Sequence, residues 1–202
     1  ASMEAELYAA LLGELHELYR SVAARYGGQV VRMQGDGMLA VFGLGEPSED
    51  DGRRATEAAI ALHAAVRALG PRVGVDPLQH LRLHSGIHAG LVLVSEGDML
   101  RGRVDLMGHA PNVAAKLSDA AHADEILVSE GTLGPHAHRF HVSERSTLSP
   151  GGGDARLSVL RVSGLSSHAD RPLVGQGAGH LIGRERELTV LLGALDAVRQ
   201  GA

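Results

Sequence analysis

Residues 29–42 have the sequence Gln29-Val-Val-Arg-Met-Gln-Gly-Asp-Gly-Met-Leu-Ala-Val-Phe42. Two short apolar runs, 29–33 and 38–42, flank the turn Gln34-Gly-Asp-Gly37. Apolar runs joined through Asp-Gly are a strong signal for a β-hairpin, because such a turn needs positive φ. The stretch therefore predicts two antiparallel strands with Asp36 at their tip.

Helical patterns flank this hairpin on both sides. Apolar residues recur at steps of three and four over 4–25, which predicts an amphipathic helix that ends at the Gly27-Gly28 pair. The recurring residues are Leu7, Leu11, Leu15, Leu18 and Val22. After the hairpin, Ser48-Glu-Asp-Asp51 provides a cap and an acidic first turn for a second helix, which is predicted to end near residue 69.

The rest of the chain continues this alternation of helices and strands. A second hairpin is predicted over 81–94, a short strand over 103–106 and a third helix over 111–121 with Pro111 in its first turn. Further strands are predicted over 126–128, 140–142 and 157–162. Helices that alternate with hairpins indicate an α+β, ferredoxin-like sandwich with helices packed on one face of a mostly antiparallel sheet. In that plan the first strand would precede residue 1.

Composition excludes several classes of function. The 202 residues contain no Cys, so disulfides, thiolate zinc sites and cysteine nucleophiles are ruled out. A formal charge of −5 and only 2% aromatic residues argue against a nucleic-acid partner. The apolar runs are too short to span a membrane, and the start of the chain does not resemble a signal segment. The expected setting is the cytoplasm, without a membrane partner.

Asp36 is the first candidate for chemistry. A carboxylate at a hairpin tip, with glycine on both sides, has little side-chain cover and could bind a hard cation such as Mg²⁺. Asp-Gly is also a favoured turn dipeptide in its own right. Both interpretations remain open from the residues alone.

A second candidate lies between residues 102 and 117. Asp105 is on a predicted short strand, and Asn112 and Lys116 are four residues apart at the start of the third helix, so they share a helix face. An amide and a cation near a helix N-terminus suit phosphate binding. Equally, Asn112 could belong to the helix cap and Lys116 could be a solvated surface charge.

Four motifs in order resemble the class III nucleotide cyclases, the adenylate/guanylate cyclase catalytic domain. The hairpin segment 27–42 resembles the family's metal-binding hairpin, and Leu83-His-Ser-Gly-Ile-His-Ala-Gly90 resembles its "GIHxG" strand. Gly108-His-Ala-Pro-Asn-Val-Ala-Ala-Lys-Leu117 resembles its "GxxxNxAxRL" helix, and Ala123-Asp-Glu-Ile-Leu-Val-Ser129 resembles the strand that follows. Together the motifs lie within residues 4–145.

The resemblance implies a role for each candidate residue. Asp36 matches the second of two aspartates that hold two Mg²⁺ or Mn²⁺ ions over the triphosphate. Arg32 and Asp105 match positions that recognise adenine, Asn112 matches the residue that orients the ribose, and Lys116 matches an arginine that stabilises the transferring phosphate. The implied reaction converts ATP to cyclic AMP and pyrophosphate in intracellular signalling. The family's active site lies across a dimer, so a homodimer or a second cyclase domain is the implied partner.

The sequence departs from the family pattern at three positions, and the first two of these departures favour an alternative function. The first metal aspartate is not within the sequence, Lys116 replaces an arginine, and Arg32 replaces a lysine. Lysine keeps the charge but lacks the planar fork that grips two phosphate oxygens. The alternative is a weak or inactive cyclase-homology domain that serves as a dimerisation or nucleotide-sensing module of a multidomain regulator.

The tail predicts a further module. Residues 1–163 form the predicted cyclase-type domain without its first strand, and 164–180 form a linker rich in Ser, Gly and His. Leu181-Ile-Gly-Arg-Glu-Arg-Glu-Leu188 resembles the "GREREL" start of an ATPase module in signal-transduction regulators. Residues 181–202 are therefore expected to be the N-terminal edge of such a module, a partner in the same polypeptide.

Overall fold

The computed structural model describes residues 2–73, 81–94, 106–149 and 156–166. The chain divides into two compact units, 1–169 and 170–202, and all described residues belong to the first. Asp105, most of the predicted linker and the ATPase-like segment 181–202 lie outside the described residues. None of the helices in the described ranges has the length and apolar character needed to cross a membrane.

Helix α1 and the predicted hairpin form the first layer. α1 spans Ser2–Arg25, β1 spans Gly28–Gln34 and β2 spans Gly37–Phe42, with β1 and β2 antiparallel, so the helix and the hairpin are both confirmed. The buried side chains of α1 follow a step of four residues; they are Leu11, Leu15, Tyr19 and Ala23. Leu18 and Val22 lie half-buried at the edge of this stripe. The side chain of Leu7 lies outside the described set.

A β-bulge interrupts β1 at Val31. The strand register pairs Val30 with Ala40 but Arg32 with Leu39, so one extra residue is inserted in β1. Because side chains alternate along a strand, the bulge reverses the inward and outward faces beyond it. As a result Met33 packs against the core beside Val30, whereas Arg32 is exposed.

Helix α2 spans Asp51–Val73 and contacts both the hairpin and the larger sheet. Its start has reciprocal capping bonds, as the Ser48-to-Asp51 pattern predicted. The Asp50 amide donates to Ser48 Oγ at 3.3 Å, and the Ser48 amide donates to Asp51 Oδ2 at 2.8 Å. These bonds satisfy backbone donors that a helix N-terminus otherwise leaves unpaired.

The larger sheet has four strands in the order β3-β6-β8-β7. Its strands are β3 Ser85–Ile87, β6 Ile126–Ser129, β7 Phe140–Leu148 and β8 Leu157–Leu165, the last reaching into the predicted linker. β3 is parallel to β6, and the other two pairings are antiparallel. The short α4, Glu130–Leu133, and a 3₁₀ helix, Gly134–Arg139, connect β6 to β7.

The predicted hairpin over 81–94 is wrong. β3 pairs with β6, while β4, Leu93–Val94, pairs antiparallel with β5, Leu106–Met107, in a separate ribbon. The apolar periodicity of 81–94 marks two strands correctly, but it does not encode their partners. A parallel partner that is distant in sequence leaves no local turn signal.

Helices cover both faces of the four-stranded sheet, rather than one face as predicted. On one face, Ile126, Val128, Leu160 and Val162 pack with Ala59 of α2. The other face is covered by helix α3, which spans His109–Ala120. There Leu127 and Val159 of the sheet pack with Val113 and Leu117 of α3. All four residues of β6 are buried, which is typical of a strand covered on two sides. The α+β class and the predominance of antiparallel pairing are confirmed.

Candidate active site

The tip of the β1–β2 hairpin presents Asp36 to solvent. Gln34 pairs with Gly37, so Gly35 and Asp36 are the two central residues of the turn. Gly35 has a φ of 60°, whereas Asp36 has an ordinary negative φ, so the positive φ expected from the Asp-Gly dipeptide is found at Gly35 instead. Two-residue hairpin turns with glycine first do not require aspartate second. The turn geometry alone therefore does not require a carboxylate at residue 36.

Helix α1 holds the backbone of this turn through two side chains. His16 Nε2 lies 2.8 Å from the Gly35 carbonyl oxygen, and the Tyr19 hydroxyl donates to the Asp36 carbonyl oxygen at 2.8 Å. Burial, and secondarily the negative charge of Asp36, raises the pKa of Tyr19 to about 12. The Tyr19 hydroxyl therefore remains a proton donor at neutral pH.

Arg32 lies on the exposed face of the hairpin. The bulge at Val31 puts Arg32 opposite Leu39, on the face away from the core that holds Met33. The guanidinium is therefore presented on the surface of the strand that leads to Asp36, as a residue that contacts a ligand requires.

Asn112 and Lys116 share the exposed face of α3, opposite the buried residues Val113 and Leu117. Gly108 is the residue at the helix cap, and Asn112 Nδ2 donates to the Gly108 carbonyl oxygen at a long 3.4 Å. Asn112 thus satisfies no free backbone amide at the helix start, which disfavours the interpretation of Asn112 as a cap.

Two glycines allow α3 to lie close to the strand and loop beneath it. A Cβ on Gly86 would lie 2.2 Å from both the Ala114 carbonyl oxygen and the Ser118 amide nitrogen, and one on Gly90 would lie 2.9 Å from Ala110 Cβ. Backbone cannot move aside as a flexible side chain can. These approaches fix the position of the helix that carries Asn112 and Lys116.

A polar network supports the loop after β3. His88 Nδ1 lies 2.8 Å from Ser129 Oγ, which lies 2.6 Å from Thr132 Oγ1, and Thr132 Oγ1 accepts from the Ala89 amide at 2.8 Å. Burial, and secondarily nearby His109, lowers the pKa of His88. The network ties this loop to the end of β6.

The described site residues lie on two different groups of elements within the first compact unit. Asp36 and Arg32 are on the hairpin, which packs on α1 and α2, whereas Asn112 and Lys116 are on α3, which packs on β3 and β6. Asp105 lies outside the described residues. Within the described ranges, no group of three or more His, Asp or Glu side chains is arranged to hold a metal ion. To bind a cation, Asp36 therefore needs oxygen ligands in addition to those that the described side chains supply.

Sequence reasoning missed the two residues of α1 that contact the turn. His16 and Tyr19 are three residues apart, so they share a helix face. Tyr19 also lies four residues after Leu15 within the buried stripe, and a polar side chain in such a stripe is a signal that could have identified it.

An exposed apolar patch lies on the β4–β5 ribbon and the segment before it. Leu91 is 86% exposed, Leu93 is 65% exposed and Met107 is 55% exposed. Leu93 and Met107 are direct partners across the ribbon. Met107 of this patch is followed directly by Gly108, the cap residue of α3.

The comparisons with known proteins agree with this fold. The sequence profile of the family described as Adenylate and Guanylate cyclase catalytic domain matches residues 1–157. The crystal structure of the guanylyl cyclase Cya2 superposes with a TM-score of 0.73 and 25% identity, covering 82% of this chain and 84% of that chain.

Two curated relatives are much longer proteins. Uncharacterized protein R02095 of Rhizobium meliloti (strain 1021) is 29% identical over 203 residues, which covers 98% of this chain and 19% of that protein. Guanylate cyclase 2G of Mus musculus is 28% identical over 142 residues, covering 69% of this chain and 13% of that protein. The chain thus spans less than a fifth of either. Since the profile match covers well over half of the sequence, the chain belongs to the adenylate and guanylate cyclase catalytic domain family.

Proposed function

We propose that the domain converts ATP to cyclic AMP and pyrophosphate, with Asp36 as a ligand of the divalent cations. The observation that carries this proposal is the hairpin tip. Gly35 supplies the unusual backbone angle of the turn, so Asp36 is not required there for folding, yet its carboxylate is exposed and the backbone on both sides of it is held by α1.

The donor chemistry of Asp36 fits Mg²⁺ or Mn²⁺. Hard divalent cations prefer oxygen ligands, and Mg²⁺ sites commonly use one or two carboxylates together with substrate phosphates and water. Two cations per site remain part of the proposal. When bound, such cations neutralise charge on the phosphate oxygens.

The positions of two further side chains support the remaining proposed roles. In the proposed reaction the ribose 3′-oxygen loses its proton and bonds to the α-phosphorus, and the bond from the α-phosphorus to the bridging oxygen of pyrophosphate breaks. Asn112 would orient the ribose and Lys116 would stabilise the charge on the α-phosphate, since both project from one exposed face of α3. Such catalysis consists mainly of positioning and charge neutralisation.

The choice of ATP rests on Asp105 and Arg32. A carboxylate accepts a hydrogen bond from the adenine amino group, whereas guanine presents the O6 acceptor at the corresponding position. Cya2 and the mouse relative are guanylyl cyclases by name, so GTP is the competing substrate. The proposal therefore requires a direct comparison of the two nucleotides.

We also propose that the active site forms between two copies of the domain. Large exposed apolar patches mark interaction surfaces, and the patch of Leu91, Leu93 and Met107 adjoins the helix that carries Asn112. Asp36 lies on the hairpin beside α1, whereas Asn112 lies on a helix that packs on the larger sheet, and a site to which each copy contributes one of these residues would accommodate that arrangement. Residues 181–202 as the edge of an ATPase module remain a proposal from sequence.

The test measures cyclic AMP and cyclic GMP formed from equal ATP and GTP by the full chain with Mn²⁺. Asp36→Ala should abolish the product, while Glu46→Ala, which removes an exposed carboxylate after the hairpin, should leave the rate unchanged. Cyclic GMP as the main product would contradict the choice of ATP. Nucleotide binding without any cyclic product would support the dimerisation or nucleotide-sensing module instead.

A further inference from the structure

We propose that Tyr19 and His16 are positioning residues for the Asp36 carboxylate, and this inference rests on the proposed role of Asp36 in binding divalent cations. The Gly35 carbonyl belongs to the peptide group before the Asp36 Cα, and the Asp36 carbonyl belongs to the peptide group after it. His16 contacts the first and Tyr19 the second, each at 2.8 Å. Two side chains of one helix thus bond to both peptide planes that flank a single Cα.

Those two planes determine where the carboxylate points. The direction of the Cα–Cβ bond follows from the orientation of the flanking peptide groups, because peptide units are planar and rotate only about φ and ψ. A two-residue hairpin tip with a glycine at its first position has wide backbone freedom. The bonds from α1 restrict that freedom at the residue whose carboxylate would bind the cation.

The two contacts differ in rigidity. The Tyr19 side chain is buried with Leu15, Leu62 and Val66 in a cluster between α1 and α2, so its hydroxyl is fixed relative to the core. His16 is only partly buried. Tyr19 is therefore expected to provide most of the orientation, with His16 as a second contact.

The expected consequence is a selective loss of cation affinity. Removing the Tyr19 hydroxyl leaves the ring packed and the Asp36 carboxylate present, but allows the turn to sample other orientations. One hydrogen bond of this kind corresponds to about a three- to tenfold change in an equilibrium constant. The KM for the nucleotide should change much less, because Asn112 lies on α3 and Arg32 lies in the paired part of β1 rather than in the turn that the two bonds hold.

The experiment is a Mn²⁺ titration of the full chain, comparing wild type with Tyr19→Phe and His16→Ala. Tyr8→Phe is the matched control, since it removes a hydroxyl from an exposed tyrosine of the same helix. Two readouts are followed: the rate of cyclic nucleotide formation, and the Mn²⁺-induced broadening of the Gly35 and Gly37 amide resonances. The second readout needs no turnover.

The proposal predicts that Tyr19→Phe raises the Mn²⁺ midpoint about three- to tenfold in both readouts, that His16→Ala raises it less, and that Tyr8→Phe leaves it unchanged. A Tyr19→Phe protein with the wild-type midpoint overturns it, as does an equal rise in the nucleotide KM. If wild type binds Mn²⁺ at the turn but forms no cyclic product, the proposed function fails, and the broadening midpoints still decide the role of Tyr19. Should Tyr19→Phe not fold, the His16→Ala midpoint decides in its place.

Discussion

His63 of α2 and Ser85 of β3 form a hydrogen bond, with 2.9 Å between Nε2 and Oγ. His63 is 2% exposed, and its Nδ1 atom is buried without a hydrogen-bond partner in the described part of the structure. Burial lowers the pKa of His63 to about 4. Smaller contributions come from Asp124, which raises this pKa, and from Arg67 and His84, which lower it. The neutral imidazole therefore joins the helix to the sheet.

This linkage predicts a pH-dependent stability. The unfolded chain protonates His63 near pH 6.5, whereas the folded protein resists protonation until about pH 4. The contribution of neutral His63 to the free energy of unfolding should thus be fully present above pH 6.5. It should fall by up to about 3 kcal/mol as the pH drops to 4. Urea unfolding at a series of pH values measures this slope.

The variant His63→Gln isolates the effect, because glutamine can still hydrogen-bond to Ser85 but does not titrate. Its unfolding free energy should vary less between pH 6.5 and 4 than that of wild type. His141→Gln, at an exposed histidine, should keep the wild-type slope. An unchanged slope in His63→Gln would show that other groups cause the acid sensitivity.

Replacing Lys116 should change the rate of the chemical step. Lys116→Arg restores a planar fork that can donate to two phosphate oxygens, so we expect kcat to rise severalfold. Lys116→Ala removes the charge and should lower kcat by about a hundredfold or more. Steady-state kinetics with Asp119→Ala, an exposed variant on the same helix, as control would test both effects. A Lys116→Ala enzyme with normal kcat excludes the assigned role.

Gly86→Ala should strongly destabilise the domain. The added Cβ would lie 2.2 Å from backbone atoms of α3, so the helix must move away from β3. A cost of more than about 3 kcal/mol is expected, measured by thermal or urea unfolding. Gly13→Ala in α1 is the contrasting variant, because nothing lies within 4 Å of its added Cβ, and it should stabilise by about 0.5–1 kcal/mol.

Leu93→Asp should weaken self-association of the chain. A charge at this exposed position would have to be buried in an interface that covers the patch of Leu91, Leu93 and Met107. Sedimentation velocity should show a larger monomer fraction and a matching loss of cyclase activity. Tyr8→Ser, at an exposed side chain of α1, should leave the association unchanged. Wild-type association of Leu93→Asp would place the interface elsewhere.

Local patterns predicted most of the elements correctly. The four-residue spacing of Leu11 and Leu15 marked α1, and the apolar runs on each side of 34–37 marked the hairpin, because both signals arise from neighbouring residues. The pairing of β3 with β6 was not predicted, since the two strands are separated by about forty residues and joined by no turn of their own. The same lack of a local signal hid the position of α3 on the second face of the sheet.

The candidate site was predictable only in part. Asn112 and Lys116 follow from helix geometry, because residues four apart share a face. The bonds from His16 and Tyr19 to the turn depend on how α1 packs on the hairpin. The exposure of Arg32 depends on a β-bulge, which no residue type in this stretch indicates. Tertiary packing, rather than propensity, determines these features.

The extra residue in β1 decides which of two adjacent side chains faces the core and which faces solvent. Regular pairing that kept Val31 in the ladder would turn the guanidinium of Arg32 toward the core and the thioether of Met33 toward water, whereas deleting Val31 would leave both side chains on their present faces. Strand pairing, and not only the residue types of β1, therefore decides whether a guanidinium or a thioether faces solvent on the strand that leads to Asp36.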